Sequence, residues 1–433
     1  MPALISTEQV HQHLEATVEI RGHVQTMRKL GNLAFIVLRD IDGTAQVVVD
    51  NADLLEYVNQ LGHEMPVAVV GEVVAHPNGG GAELRAVSIT SLAGKNCVLP
   101  VEVSKDKTVD ALAINTLLDY RPLTLRNEKV RSIFRIEAAL CRGFREFLNS
   151  ERFTEIHSPK IVATGTEGGA NLFSLEYFGR KAFLAQSPQF YKQMMVGVFE
   201  RVYEIGPVYR AETHDTTRHL NEYISMDIEM GFIRGEKDLM AIETRLLKAM
   251  FDEVERGCSD ELAKHNAVVP VIGERIPAIK LADACELLRR EYAWGSGSAE
   301  DLDPEGERLL CEHFARTEGS DLVFVTHYPW SVRPFYAMPG QDGLSKSFDL
   351  LWRGLEITTG GQRIHEYDQL RQCIAARGMN PDDFEDYLQC FKYGMPPHGG
   401  FAIGLERLTK QLLGLANVKQ AALFPRDLNR LTP

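Results

Sequence analysis

The chain has 433 residues, 44% hydrophobic and 25% charged, with a formal net charge of −13; it is too long for one small core and is expected to form two or three domains. The acidic balance excludes a histone-like binder, so any nucleic-acid contact has to come from a local basic patch. Neither a membrane helix nor a signal peptide is expected, since no apolar run approaches the roughly 20 residues of a membrane helix and the N-terminus lacks the basic-then-apolar order of a signal peptide; seven scattered cysteines without a CxxC pair point to a reducing cytosol.

Residues 17–50, TVEIRGHVQTMRKLGNLAFIVLRDIDGTAQVVVD, read as three short strands. Val18 and Ile20, then Leu33, Phe35 and Val37, then Val47 and Val49 alternate with neighbours on the opposite face, and Gly31-Asn32 and Asp42-Gly43 mark the turns. Residues 67–92 add two strands around a glycine-rich loop. Five short strands suit a small Greek-key barrel of the OB type, although a generic five-stranded or SH3-like barrel fits the same pattern. The barrel is expected over residues 1–99, with a hinge over 100–126 where the pattern lapses around Pro100 and DYRPLTLRN.

From Val130 to Phe147 apolar residues recur at three- and four-residue steps, which predicts a long amphipathic helix ending before Pro159. Strand-like stretches follow at 181–186, 201–210 and 225–233. In the last, Met226, Ile228, Met230 and Phe232 alternate with Ser225, Asp227 and Glu229, as in a half-buried antiparallel strand. Residues 236–316 read as mostly helical, strand signals return at 322–328 and 348–357, and GGFAIGLERLTKQLLG is a glycine-rich strand feeding a helix. Neither a Walker A motif nor a GxGxxG opening a helix occurs, so the familiar parallel-sheet nucleotide folds are not signalled.

The stretch VYRAETHDTTRHLNEY (208–223) gathers Arg210, Arg218 and His219 beside Glu212 and Glu222, on a loop between two strand candidates. Guanidinium forks match phosphate oxygens bidentately, and Tyr223 is placed to stack on a flat base. A surface hairpin laced with ion pairs is the alternative for this stretch alone. Near the C-terminus Arg407 falls in the first turn of a helix preceded by Gly399, Gly400 and Gly404, where the helix N-terminus and the arginine together favour an anion. Glu356 and Thr359, three residues apart, can offer oxygen ligands to Mg²⁺ while phosphates complete the octahedron. Taken separately, each could be a structural salt bridge.

Jointly, FTEIHSPKI, VYRAETHDTTRHLNEY and GGFAIGLERL resemble motifs 1, 2 and 3 of the class II aminoacyl-tRNA synthetases. TEGGANLF (166–173), LAQSPQFYKQ (184–193), GGQRIH (360–365) and YGMPPHGGF (393–401) narrow the resemblance to the aspartyl-tRNA synthetase family, in its short archaeal and eukaryotic-like form. It extends over essentially the whole chain and implies an α+β fold. An OB barrel would bind the anticodon, and a catalytic domain over 127–433 would have a mainly antiparallel sheet flanked by helices.

The resemblance also implies a reaction and its residues. Aspartate and ATP would give aspartyl-adenylate, from which aspartate passes to the terminal adenosine of tRNA. Arg210 matches the arginine at the α-phosphate and substrate carboxylate, and Arg407 the arginine at the γ-phosphate. Glu212, Arg218, His219, Leu220 and Gly404 fall at ATP-contact positions, and Tyr223 at the adenine-stacking aromatic. Glu356 and Thr359 match the Mg²⁺ positions, and Thr359 also borders the amino acid. Lys192 and Arg363 match the cations for the aspartate side chain, with Glu167 and Gln189 on the amino-group side. Two such cations facing a neutral amide would leave charge unpaired, which favours aspartate over the asparagine of the sister enzymes.

In the barrel, Arg28, Phe35 and Gln46 match anticodon-reading positions, with Phe35 stacking a splayed base; without the resemblance Phe35 would be assigned to the core. Enzymes of this family that reject tRNA(Asn) carry a tryptophan and a lysine at positions aligned with Gln25 and about Gly80. Both are absent, so charging of tRNA(Asp) and tRNA(Asn) is expected, the latter feeding an amidotransferase. Motif 1, with Pro159, implies a homodimer. A discriminating enzyme, an asparaginyl-tRNA synthetase, a non-enzymatic RNA binder and a tRNA-independent amide ligase are the alternatives. The presence of Arg210, Glu356 and Arg407 argues against the RNA binder, and the barrel against the amide ligase.

Overall fold

The computed structural model describes residues 2–77, 79, 81–93, 97–165, 171–295 and 300–433. They divide into two compact units, Met1–Asn127 and Glu128–Pro433. Among the described residues no helix is long and apolar enough to cross a membrane.

In the first unit, β1 (Ala3–Ile5), β2 (Thr17–Leu30), β3 (Leu33–Arg39), β4 (Thr44–Val49), β5 (Pro66–Ala75) and β6 (Ala82–Ser91) lie in the order β1-β2-β3-β4-β6-β5. Pairing of β5 back onto β2 closes β2–β6 into a five-stranded barrel, which leaves few free edges. The turn Gly31-Asn32 joins β2 to β3 with Gly31 at φ +60°, a conformation glycine adopts at little cost. Val18, Ile20, Val24, Val47, Val67 and Val69 fill the interior. In β3 the inward residues are Ala34, Ile36 and Leu38, so Phe35 lies half-buried on the outer face. The core assignment for Phe35 is therefore corrected. A bulge between Val24 and Thr26 in β2 interrupts the alternation there, and Phe35 sits opposite the exposed Arg28.

Residues 100–126, expected as a hinge, carry three short helices, Asp106–Asp110, Ile114–Asp119 and Arg121–Thr124. Four to six residues are too few to show a helical period in the sequence. Arg126 Nη1 reaches Glu64 Oε2 at 3.4 Å, tying this segment to the barrel's own Arg39–Glu64 pair.

The second unit is built on an eight-stranded sheet. Its strands are β7 (Thr154–Glu155), β11 (Arg201–Tyr209), β12 (Glu222–Gly231), β13 (Ala278–Lys280), β14 (Leu322–Thr326), β15 (Ser347–Trp352), β16 (Leu355–Arg363) and β17 (His398–Gly404). A separate small sheet holds β8 (Ile161–Val162), β9 (Ser174–Tyr177) and β10 (Arg180–Leu184). The large sheet runs β13-β14-β15-β16-β17-β12-β11-β7, antiparallel except at the β13–β14 and β7–β11 ends. Helices Glu128–Ser150 and Glu236–Gly257 bury Ile136, Leu140, Phe144, Leu246 and Met250 against Met226, Ile228, Phe348 and Phe401 of the sheet.

Two sequence expectations change here. Residues 348–357, read as one strand, are a hairpin turning at Arg353 (φ +47°) and Gly354 (φ +79°). β12 is buried on both faces rather than half-buried, since Ser225, Asp227 and Glu229 are as inaccessible as Met226 and Ile228. The alternation ends at Gly231: Phe232 takes φ +59° and is 69% exposed, and Ile233 enters the core instead. Buried carboxylates on a central strand have to be paired, which directs attention to that face.

Candidate active site

β11 and β12 form a hairpin in register from Arg201↔Met230 to Tyr209↔Glu222. Its loop is tied at the base, where Arg210 N donates to Asn221 O at 2.8 Å and Asn221 Nδ2 donates to the carbonyls of Arg210 and Glu212. Arg210 lies with Cζ 5.7 Å from the ring centre of Tyr223. Leu220 packs with Tyr223 on Val418 and Ala422. Lys419 Nζ pairs with Asp215 at 2.7 Å and pins the loop from the C-terminal segment.

Next to this hairpin, Gly404 ends β17 and opens the helix Leu405–Leu413. Arg407 Nη1 donates to the Glu356 carbonyl at 3.1 Å, and its Nε to the Arg218 carbonyl at 3.4 Å. Burial, and then the Arg407 charge, hold His219 below the ordinary imidazole range. Glu406, second in the helix, accepts from Ile224 N with both oxygens at 3.1 Å, and burial pushes its carboxyl up to about 7.

β15 and β16 supply the third wall. Thr359 Oγ1 donates to Glu356 Oε1 at 3.2 Å. Asp349 stands opposite Thr359 and pairs with Arg333 at 2.7 Å, whose guanidinium lies 3.8 Å from the Tyr328 ring centre. Gly360 is glycine for want of room: a Cβ there would come 2.5 Å from Phe348 and 2.7 Å from Phe401.

Two cavities open to solvent lie between these walls, with volumes that include the space at their mouths. One, of about 700 Å³, is lined by Arg210, Glu212, Arg218, His219, Leu220, Tyr223, Glu356, Thr359, Gly404 and Arg407 among others. The second, of about 1580 Å³, is lined by Gln189, Lys192, Arg210, Asp227, Arg333, Thr359 and Arg363 among others. Arg210, Glu356, Thr359 and Ala402 line both. A group bridging the two spaces thus passes an arginine fork, a carboxylate and a hydroxyl.

Lys192, on the helix Gln189–Phe199, is 2% exposed. Its Nζ lies 2.9 Å from Asp227 and 3.3 Å from Glu229. Arg363 Nε lies 3.2 Å from Glu229, and its Nη2 lies 3.0 Å from the Gly400 carbonyl and 3.5 Å from Gln189 Oε1. This corrects the premise that the two cations face the substrate bare. Asp227 and Glu229 compensate them, and the sequence reading treated both acids only as the polar side of an alternating strand. Arg333 was missed too, because nothing in its spacing links it to the motifs.

Glu167 and Gly80 lie outside the described residues. In the barrel, Arg28 opposes Phe35 and Gln46 opposes Val37, so Arg28, Phe35 and Gln46 share the outer face. Gln46 Nε2 donates to Glu83 at 2.8 Å. Gln25 is the bulged residue of β2, and its carbonyl lies 3.1 Å from His63 Nδ1.

Residues 113–428 match the family described as tRNA synthetases class II (D, K and N), and residues 18–92 match the OB-fold nucleic acid binding domain. The chain belongs to the class II tRNA synthetases. A synthetase of this class uses ATP, which accords with a cavity that presents three arginines and ends at a helix N-terminus. The chain is 50% identical to the aspartate–tRNA(Asp/Asn) ligase of Deinococcus radiodurans, over 99% of this chain and 98% of the relative. It is 49% identical to the enzyme of the same name from Thermus thermophilus, over 97% and 98%. Among solved structures, asparaginyl-tRNA synthetase from Pyrococcus horikoshii with asparaginyl-adenylate superposes with a TM-score of 0.92 at 30% identity, covering both chains completely. The fold is thus shared with an enzyme for a different amino acid, and the choice of substrate has to be argued from the side chains.

Proposed function

We propose that this synthetase activates L-aspartate as aspartyl-adenylate and transfers it to both tRNA(Asp) and tRNA(Asn). The observation that carries the activation step is the meeting of the two cavities at Arg210, Glu356 and Thr359. With ATP in the smaller cavity and aspartate in the larger, the α-carboxylate faces the α-phosphorus across that wall. The carboxylate is already the nucleophile, so no protein base is required. An oxygen–phosphorus bond forms as the bond to pyrophosphate breaks, and the rate comes from alignment and from donors aimed at the developing charge. Arg210 serves both reactants. Arg407, Arg218 and His219 hold the outgoing phosphates, Tyr223 stacks the adenine, and Glu212, Leu220 and Gly404 shape its seat.

Glu356 and Thr359 fit Mg²⁺: they are hard oxygen donors 3.2 Å apart on the wall common to both cavities, and phosphates and water would complete the shell. When bound, the ion would neutralise phosphate charge. Lys192 and Arg363 take the aspartate side chain. Gln189 and Glu167 serve its ammonium group, and Asp227 and Glu229 keep the buried cations balanced. Arg28, Phe35 and Gln46 form the anticodon face of the barrel.

Dual tRNA use is supported by the names of the two relatives at 49% and 50% identity and by the residues at Gln25 and Gly80. In this reading the protein is a cytoplasmic homodimer through the Pro159 element, and Asp-tRNA(Asn) passes to an amidotransferase. Aspartate-dependent exchange of label between pyrophosphate and ATP tests the activation step. Exchange supported by asparagine and not aspartate would refute it.

A further inference from the structure

Arg218 is gripped from behind by two elements that none of the three motifs contains. Its Nη2 makes an ion pair with Glu307 and donates to the Gly354 carbonyl at 3.2 Å. Glu307 lies in the first turn of the helix Pro304–Glu318, whose start is fixed by Asp303. The Asp303 carboxylate accepts from Gly306 N at 2.7 Å and from Trp294 Nε1 at 3.0 Å. Gly354 is held at φ +79° in the β15–β16 turn, with the Arg308 backbone 3.0 Å from where its Cβ would stand. The socket is therefore closely packed at Gly354 and anchored at the helix start by Asp303. Arg218 lines the smaller cavity whereas Glu307 does not. Arg407, through its Nε bond to the Arg218 carbonyl, and Glu356, bonded to Arg407 in turn, continue the same wall.

We infer that Glu307 is a positioning residue for the nucleotide: it fixes the Arg218 guanidinium so that its remaining edge faces the terminal phosphates. This rests on the reading that the smaller cavity takes ATP. An arginine on a loop carries side-chain entropy that is lost when it is ordered, and binding is strengthened when that cost is met before the ligand arrives. Both contacts use Nη2, and a guanidinium has five N–H donors, so anchoring leaves Nε and Nη1 for phosphate. The partial neutralisation by Glu307 is offset by Arg407, which stands on the same wall.

The test is pyrophosphate exchange on Glu307→Ala, Glu307→Gln, Arg218→Ala and the double variant Arg218→Ala/Glu307→Ala. Glu307→Ala is expected to raise KM for ATP about tenfold, the scale on which orienting partners act, with KM for aspartate unchanged and Glu307→Gln intermediate. In the Arg218→Ala background, loss of Glu307 should add less than about twofold, because the two residues act as one unit. If Arg218→Ala weakens ATP while Glu307→Ala and Glu307→Gln do not, the inference fails and the nucleotide assignment stands. A tighter KM in the Glu307 variants would make Glu307 a competitor of the phosphates, and full additivity would make it a scaffold residue; either overturns the proposal. If Arg218→Ala itself leaves ATP unaffected, the assignment of the cavity fails with it. Should Glu307→Ala not fold, the isosteric Glu307→Gln carries the comparison alone.

Discussion

Lys192 and Asp227 form an ion pair in the wall of the larger cavity, Nζ to Oδ1 at 2.9 Å, with Glu229 Oε2 3.3 Å from the same nitrogen. One cation thus answers two buried acids and, in the proposed reaction, the substrate carboxylate as well. Lys192→Ala should raise KM for aspartate by about a hundredfold while changing that for ATP little, because only the amino-acid side loses a charge partner. It should also lower the melting temperature, since breaking a buried pair costs about 3–5 kcal/mol. Exchange kinetics and thermal unfolding check the two halves. A rise confined to the ATP KM would place Lys192 on the other substrate.

Arg407 stands at the mouth of the helix Leu405–Leu413, bonded to the Glu356 carbonyl. Removing one preorganised donor from a developing charge costs about 3–4 kcal/mol. Arg407→Ala should therefore lower exchange by roughly two to three orders of magnitude and leave the unfolding curve unchanged. Activity within a few-fold of wild type would contradict its assignment to the phosphates.

Phe35 lies half-buried on the outer barrel face opposite Arg28. Stacking of a splayed base on an aromatic ring is worth about 1–3 kcal/mol. Phe35→Ala should raise KM for tRNA by roughly ten- to a hundredfold with pyrophosphate exchange intact. Loss of exchange in this variant would mean that Phe35 supports the fold instead.

Glu243, buried on the helix Glu236–Gly257, has its carboxyl pushed up to about 8 by burial, with the Asp349 charge adding to the rise and Thr358 opposing it. The unfolded chain releases this proton near 4.5, so between 4.5 and 8 the native state holds a proton that the unfolded state has lost. Stability from this group is full below that window and falls as pH rises through it, by up to about 1.4 kcal/mol per pH unit. Glu243→Gln, uncharged at every pH, should match wild type in melting temperature at pH 5 and exceed it by several degrees at pH 8. Parallel melting curves across that range would show that Glu243 is charged when folded.

The parts of this site that are legible in the sequence are those carried by contiguous motifs. Arg210 to Tyr223 run around one hairpin loop into the start of β12, and Gly404 and Arg407 occupy one strand-to-helix junction. Local turn chemistry and residue type are visible there before any contact is known. Asp227 and Glu229 are hidden for the opposite reason: alternation on β12 reads as a solvated face until Lys192, on the helix Gln189–Phe199, and Arg363 are seen to lie against it. Arg353-Gly354 gives too weak a turn signal to split the apolar run 348–357, and Glu307, 89 positions from Arg218, has no period or spacing that points to it. The bulge at Gln25 is also invisible, because an extra residue in a strand leaves composition unchanged.

The most direct measurement is aspartylation of purified tRNA(Asp) and tRNA(Asn) transcripts, side by side, with the full-length protein and ATP. Both are predicted to accept aspartate with kcat/KM values within about tenfold of each other, a difference of 1.4 kcal/mol or less. Charging of tRNA(Asp) with tRNA(Asn) rejected by a hundredfold or more would contradict dual use, and esterification of tRNA(Asn) by asparagine instead would contradict the assignment of Lys192 and Arg363 to an aspartate side chain.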